Sequence, residues 1–190
     1  MEHRIHIVGA SGTGKTTLGL RLAKLLEIPV FHLDEVARVG GGPGALRTDA
    51  ERASAIASIL AHEAWIVEGV HLGWTDRLLE RSTLIVWLDD IPGSLARKRI
   101  TRRFLREAIA ETRRRKGRER IMRFRDYARQ IRGLLASVRG GQEGTRAAAA
   151  STLERYSERL MVISGDDDIE QLVHRLSQPD STGRPPVGSP

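Results

Sequence analysis

Gly9, Ala10, Ser11, Gly12, Thr13, Gly14, Lys15 and Thr16 have the spacing G-x-x-x-x-G-K-[ST], and their types point to one chemistry. Glycines at 9, 12 and 14 let the backbone turn sharply and aim several N–H groups at one point. A helix opening at the end of such a loop adds its positive terminus, so the cradle suits phosphate. Lys15 would reach the β- and γ-phosphates of a nucleotide, and the Thr16 hydroxyl is an oxygen ligand for Mg²⁺. With Thr17 closing the segment, residues 9–17 are read as a binding site for ATP and its magnesium. A bare glycine-rich turn would need neither the Lys-Thr pair nor a place between strand and helix.

Three carboxylates close apolar segments further along. Asp34 follows residues 30–33, and at the carboxyl edge of an open α/β sheet ligands bind. There it could orient or deprotonate an acceptor hydroxyl; Glu35 is an alternative for that role, and a helix cap is the plain structural reading. Glu68 ends residues 65–68 just before Gly69, as a substrate-holding carboxylate or as the partner of an arginine. Asp89 closes the apolar run 83–88 and so looks like a Walker B residue, the usual partner of Mg²⁺. Asp90 is adjacent, and a structural strand end is the other reading. His32 and His71 lie near these carboxylates at no metal-ligand spacing, and packing accounts for them.

A third group is basic. Arg97, Arg99, Arg102, Arg103 and Arg106 are interleaved with Ile100, Phe104 and Leu105. Residues three and four apart share a helix face, so Arg99, Arg102, Arg103 and Arg106 form one stripe. Arg113, Arg114, Arg115, Lys116 and Arg118 make a second cluster. Between 97 and 139 there are 17 Lys/Arg against 4 Asp/Glu, whereas the rest of the chain is mildly acidic. Such a local anion site fits nucleotide phosphates, nucleic acid or a solvated helix face. Phe124 and Tyr127 fall at core spacing with Ile121, Ile131 and Leu134, so base stacking is poorly supported. A nucleic-acid partner stays open and is not favoured.

The elements that must position these groups follow from periodicity. Residues 4–8, 30–33, 65–68, 83–88 and 160–163 read as strands. Helical spacing runs over 14–27, 48–61 (opened by a Thr48/Glu51 capping box), 92–111, 118–138 and 169–176. Residues 38–47, with Gly40, Gly41, Gly42, Pro43 and Gly44, read as a mobile loop, and 139–145 as a flexible connection. Strands alternating with helices imply a three-layer α/β fold with a parallel sheet of about five strands.

The 190 residues suit one α/β domain over 1–177, with a disordered Pro/Gly/Ser-rich tail at 178–190. With 40% hydrophobic and 29% charged residues, disordered and fibrous chains are excluded. There is no cysteine, hence no disulfide, thiolate metal site or cysteine nucleophile. No apolar run reaches the roughly 20 residues of a membrane span, and the first residues lack a signal-peptide pattern. A cytoplasmic location is expected. The chain also has no asparagine, so the Asn-Lys-x-Asp guanine reader of GTPases is absent.

The stretch from His6 through Thr17, Ile28 to Asp34, Trp65 to Gly69 and Ile85 to Asp89 resembles the adenylate-kinase-like phosphate-loop kinases. Within them it is most similar to the FlaR-like branch labelled "DNA topology modulation protein", whose pattern includes His-Leu-Asp and Trp-Ile-Ile-[Asp/Glu]-Gly. The resemblance covers about residues 3–110 and the last strand. It departs at 40–44, where that branch has aromatic residues, and over 111–157. It implies a kinase that moves the γ-phosphoryl group of ATP to a small-molecule phosphate acceptor, either a nucleotide or another metabolite. It also implies a helical lid over about 100–157, in which Arg99, Arg102 and Arg103 clamp the phosphoryl group. Glu68 would then hold substrate or a magnesium-bound water. Two rival classes stay open: an ATP-using nucleic-acid-associated protein or polynucleotide-end kinase, and an ATPase switch without an acceptor.

Overall fold

The computed structural model describes residues 2–39, 45–69, 71–89 and 142–178. Five parallel strands form one sheet in the order β2-β3-β1-β4-β5. They are β1 (Arg4–Gly9), β2 (Val30–His32), β3 (Trp65–Gly69), β4 (Leu84–Leu88) and β5 (Leu160–Ile163). The helices are α1 (Lys15–Leu26), α2 (Leu33–Ala37), α3 (Asp49–Leu60), α4 (Asp76–Arg81), α5 (Gln142–Leu153) and α6 (Asp166–Ser177). A 3₁₀ segment, Glu154–Arg159, joins α5 to β5.

Residue alternation along the strands sorts the side chains into two layers. Ile5 and Ile7 of β1, Ile66 of β3, and Val86 and Leu88 of β4 meet Leu18 and Leu22 of α1 and Leu172 of α6. On the other face Trp65 and Val67 pack with Leu33 and Val36 of α2, Ile56 and Ile59 of α3 and Leu78 of α4. Val8 and Ile85 meet Leu79 of α4 and Ala149 and Leu153 of α5. Strands buried on both faces read as continuous apolar runs, which is why β1, β3 and β4 were legible.

Helix ends follow local chemistry. At α3, Glu51 N donates to Thr48 Oγ1 and Thr48 N donates to Glu51 Oε2, the capping box expected there. At α6, Ser164 N and Gly165 N donate to Asp168 Oδ2, and three aspartates fill the first turn. α1 differs: Gly14 at its N-cap offers no side chain, and its first turn holds no acidic residue. Its positive end is left for something else.

The structure departs from the periodicity reading in three places. α2 and α4 were not anticipated, having five and six residues, too few to show a 3.6-residue repeat. Gln142 begins α5, so 142–145 is helix rather than flexible connection. The last helix starts at Asp166, a turn earlier than its apolar residues suggest. The latter part of the segment expected as a lid, 142–157, contributes Ala149 and Leu153 to the core. Outside the described residues lie the glycines of 40–44, Asp90, the helices expected over 92–111 and 118–138, and the tail from 179. With them go Arg97, Arg99, Arg102, Arg103, Arg106 and the cluster at 113–118.

Candidate active site

At the carboxyl end of β1 the chain turns into α1 through a loop shaped by its glycines. Gly12 and Gly14 adopt φ of 83° and 102°, in the left-handed region that suits glycine. Gly9 is required by proximity: a Cβ there would sit 2.8 Å from Thr13 Oγ1 and 2.9 Å from the Leu88 carbonyl oxygen. Thr13 is buried and donates to the Ala10 carbonyl at 2.9 Å, and Lys15 Nζ donates to the same oxygen at 2.8 Å. The lysine thus lies across the mouth of the loop, and the uncapped end of α1 opens beneath it. Backbone N–H groups, a helix terminus and a lysine converge where an anion would sit.

β3 lies directly beside β1, with Ile7 level with Glu68. Glu68 is buried, and its Oε1 accepts from Thr16 Oγ1 at 2.9 Å and from His32 Nδ1 at 2.7 Å. Thr16 and Glu68 therefore present hard oxygen donors side by side at the loop, a set that fits Mg²⁺. His32, read from sequence as a packing residue, instead orients this carboxylate.

Asp89, the other carboxylate considered for the metal, is placed elsewhere. Its Oδ1 and Oδ2 accept from Arg146 Nε and Nη2 of α5, both at 2.8 Å, and its own N–H donates to the Ile163 carbonyl at 3.0 Å. The pair is bidentate and mostly covered on the aspartate side. Sequence reasoning missed Arg146, which sits in a stretch taken for a connection and lid.

Asp34 falls in the first turn of α2, with its side chain 73% exposed at the carboxyl edge. His71 Nε2 donates to its Oδ1 at 2.9 Å. The His71 ring lies 5.3 Å from that of Trp74, and the Arg52 guanidinium stands 5.3 Å over the Trp74 ring. Asp34, His71, Trp74 and Arg52 thus form one continuous wall. Trp74 and Arg52 carried no sequence signal, since neither belongs to a motif. Among the described residues no cluster of three or more His, Cys, Asp or Glu could hold a metal by side chains alone. No helix among them is long and apolar enough to cross a membrane.

No family model matches the chain. It is 35% identical over 115 residues to "Uncharacterized protein YqaC" of Bacillus subtilis (strain 168), a match covering 58% of this chain and 64% of that relative. The chain thus spans a little under two thirds of the relative's length. Among solved structures, an uncharacterized protein from Eubacterium ventriosum ATCC 27560 superposes with a TM-score of 0.51 at 11% identity, over 93% of this chain and 96% of that one. Shikimate kinase from Acinetobacter baumannii in complex with shikimate has a TM-score of 0.46 at 17% identity, covering 90% and 89%. The fold is that of the phosphate-loop NTPases. The motif on β1, the adjacent carboxylate-bearing β3 and the sheet order together define it.

Proposed function

We propose that the chain is an ATP-dependent kinase that transfers the γ-phosphoryl group to a small acceptor molecule seated against Asp34. The observation that carries this reading is the pairing of two polar groups on one sheet edge. One is Thr16–Glu68–His32, beside the phosphate loop. The other is Asp34–His71, backed by Trp74 and Arg52. A nucleotide site alone would need only the first. The second adds an exposed carboxylate held in place by a histidine, which is what activation of an acceptor hydroxyl asks for.

Thr16 and Glu68 would hold Mg²⁺, directly or through its waters. Bound there, the ion supplies charge neutralisation along the triphosphate. The protein's own part is positional. The loop N–H groups, the α1 terminus and Lys15 fix the phosphates, and His32 keeps Glu68 aimed at Thr16. Asp34, exposed at the carboxyl edge and held through Oδ1 by His71, would orient an acceptor hydroxyl. Arg52, held by Asp49 and the Arg47 carbonyl, stands over Trp74 and braces this wall beside the acceptor position.

The experiment is a screen of small hydroxyl-bearing acceptors reading ADP release above the no-acceptor rate, followed by Asp34→Asn. The substitution keeps the shape and removes the charge. ATP affinity should stay nearly constant, while acceptor-stimulated turnover should fall by roughly 10²–10⁴-fold, the usual contribution of a positioned general base. Undiminished turnover in the variant would move the acceptor site away from Asp34. A wild type that no acceptor stimulates would replace the kinase reading with an ATPase switch.

A further inference from the structure

At the opposite, amino edge of the sheet the structure holds a cavity of about 470 Å³. It lies between α3 and α4, lined by Arg4, Ala57, Leu60, Ala61, Arg77, Glu80 and Arg81. Its size falls within the range of small-molecule sites, roughly 300–1,000 Å³. Arg4 opens β1 and Gly9 closes it, so five residues of strand, about 16 Å, separate this cavity from the phosphate loop. It belongs to neither polar group of the candidate active site.

The composition of the wall is lopsided. Three arginines line the cavity against one acidic residue, Glu80. Arg4 is occupied, donating through Nε to the Glu63 carbonyl at 3.1 Å and through Nη2 to Glu2 Oε2 at 2.6 Å. Arg77 and Arg81 lie four residues apart on one face of α4 and make no hydrogen bond or ion pair among the described residues. This contrasts with Arg21, Arg52, Arg146 and Arg159, each of which has a carboxylate or carbonyl partner. On the α3 side, alanines at 57 and 61 keep the space open where longer side chains would fill it, and Leu60 gives an apolar floor.

We propose that this cavity is a second ligand site, independent of ATP, for a small multivalent oxyanion: a phosphorylated or polycarboxylated metabolite. Arg77 and Arg81 present planar forks that bind such groups in bidentate fashion. Ala57, Leu60 and Ala61 accept the ligand's apolar body. Glu80, also in the lining, is suited to a hydroxyl or amino group and disfavours a ligand with negative charge on every side.

The test uses pyrophosphate and citrate as probes, each titrated calorimetrically into full-length protein. Because pyrophosphate also suits the phosphate loop, the titrations are done on Lys15→Ala protein, and amide chemical shifts locate the binding. Saturable binding that shifts amides of residues 57–61 and 77–81 is expected. Adding Arg77→Ala and Arg81→Ala should weaken it at least about tenfold, the contribution of one charge-assisted hydrogen bond. Both arginines are on the exposed side of α4, so the fold should survive. Lys24→Ala with Arg175→Ala removes the same charge from exposed positions elsewhere and should leave affinity unchanged. Citrate binding without pyrophosphate binding would assign carboxylates, and the reverse would assign phosphates. The proposal is overturned if neither probe saturates, if the shifts fall at residues 9–17 only, or if both double variants weaken binding equally.

Discussion

His6 sits at the centre of β1, level with Val67 on one side and Ile85 on the other, and is fully buried. Neither ring nitrogen has a partner among the described residues. Burial without a partner disfavours the imidazolium, and its pKa is lowered from 6.5 to about 3. The sign follows from proton counting: between pH 6.5 and 3 the unfolded chain binds a proton at His6 that the folded chain does not. Stability from this group is therefore complete above 6.5 and is lost as pH falls, by about 1.4 kcal/mol per pH unit. From pH 7 to pH 5 the loss is about 2 kcal/mol, a large share of the roughly 5–15 kcal/mol that holds a domain folded. Carboxylates held low by hydrogen bonds, Glu51 through Thr48 and Glu170 through Arg21, release protons' worth of stability only below their ordinary range near 4.5. The pH 5–7 window thus isolates histidine. Urea unfolding of the wild type and of His6→Leu at pH 7, 6 and 5 measures it, with His6→Val as a second variant if leucine overfills the site. The stability gap in favour of the variant should widen by about 2 kcal/mol toward pH 5. Two parallel curves would refute the claim that His6 is kept neutral by its surroundings.

Other outcomes concern the candidate active site. Lys15→Ala should fold normally and bind Mg·ATP about 10- to 100-fold more weakly, as read by calorimetry, the loss of one charge-assisted contact. Glu68→Gln keeps its size but gives up the charge beside Thr16, so the Mg²⁺ concentration for half-maximal ATP binding should rise roughly 10- to 100-fold. Equal Mg²⁺ dependence in the two proteins would move the metal away from Glu68. Gly9→Ala places a methyl group against Thr13 Oγ1 and the Leu88 carbonyl. It should cost about 1–3 kcal/mol in thermal or urea unfolding and weaken nucleotide binding as well. A variant as stable as the wild type would mean that the loop yields without cost.

The order of β1, α1, β3, β4 and β5 was legible because each carries a long enough signal: a buried β-branched run or leucines at helical spacing. The phosphate loop was legible because eight consecutive residues hold all its chemistry. The wall around Asp34 was not. His71, Trp74 and Arg52 come from two segments 19 residues apart, Arg52 to His71, and meet Asp34 only through packing of α2, α3 and the loop before α4. α5 was hidden for a different reason. Its alanine-rich sequence follows a glycine pair, which reads as a break, yet Ala149 and Leu153 find a complete apolar seat under β4. Tertiary burial outweighed the local signal.

The exchange between Glu68 and Asp89 shows what kind of information was missing. Both end strands that flank β1, so from sequence both are candidates for the partner of Thr16. What separates them is strand parity, since successive side chains point to opposite faces. On β4, Val86 and Leu88 join α1 in the core, so Asp89 projects to the α5 side, where Arg146 takes it. On β3, Ile66 joins α1, and Glu68, two residues on, projects to the same side. Its Cγ lies 3.8 Å from where a Cβ on Gly19 would stand, which sets the Glu68 side chain against α1 within reach of Thr16. Parity could have been counted from the sequence had the face of each strand been known, but both strands are apolar on both sides and offer no alternation to anchor the count. The strand whose carboxylate shares the α1 face supplies the partner of Thr16, and the strand whose carboxylate faces away fastens α5 to the sheet.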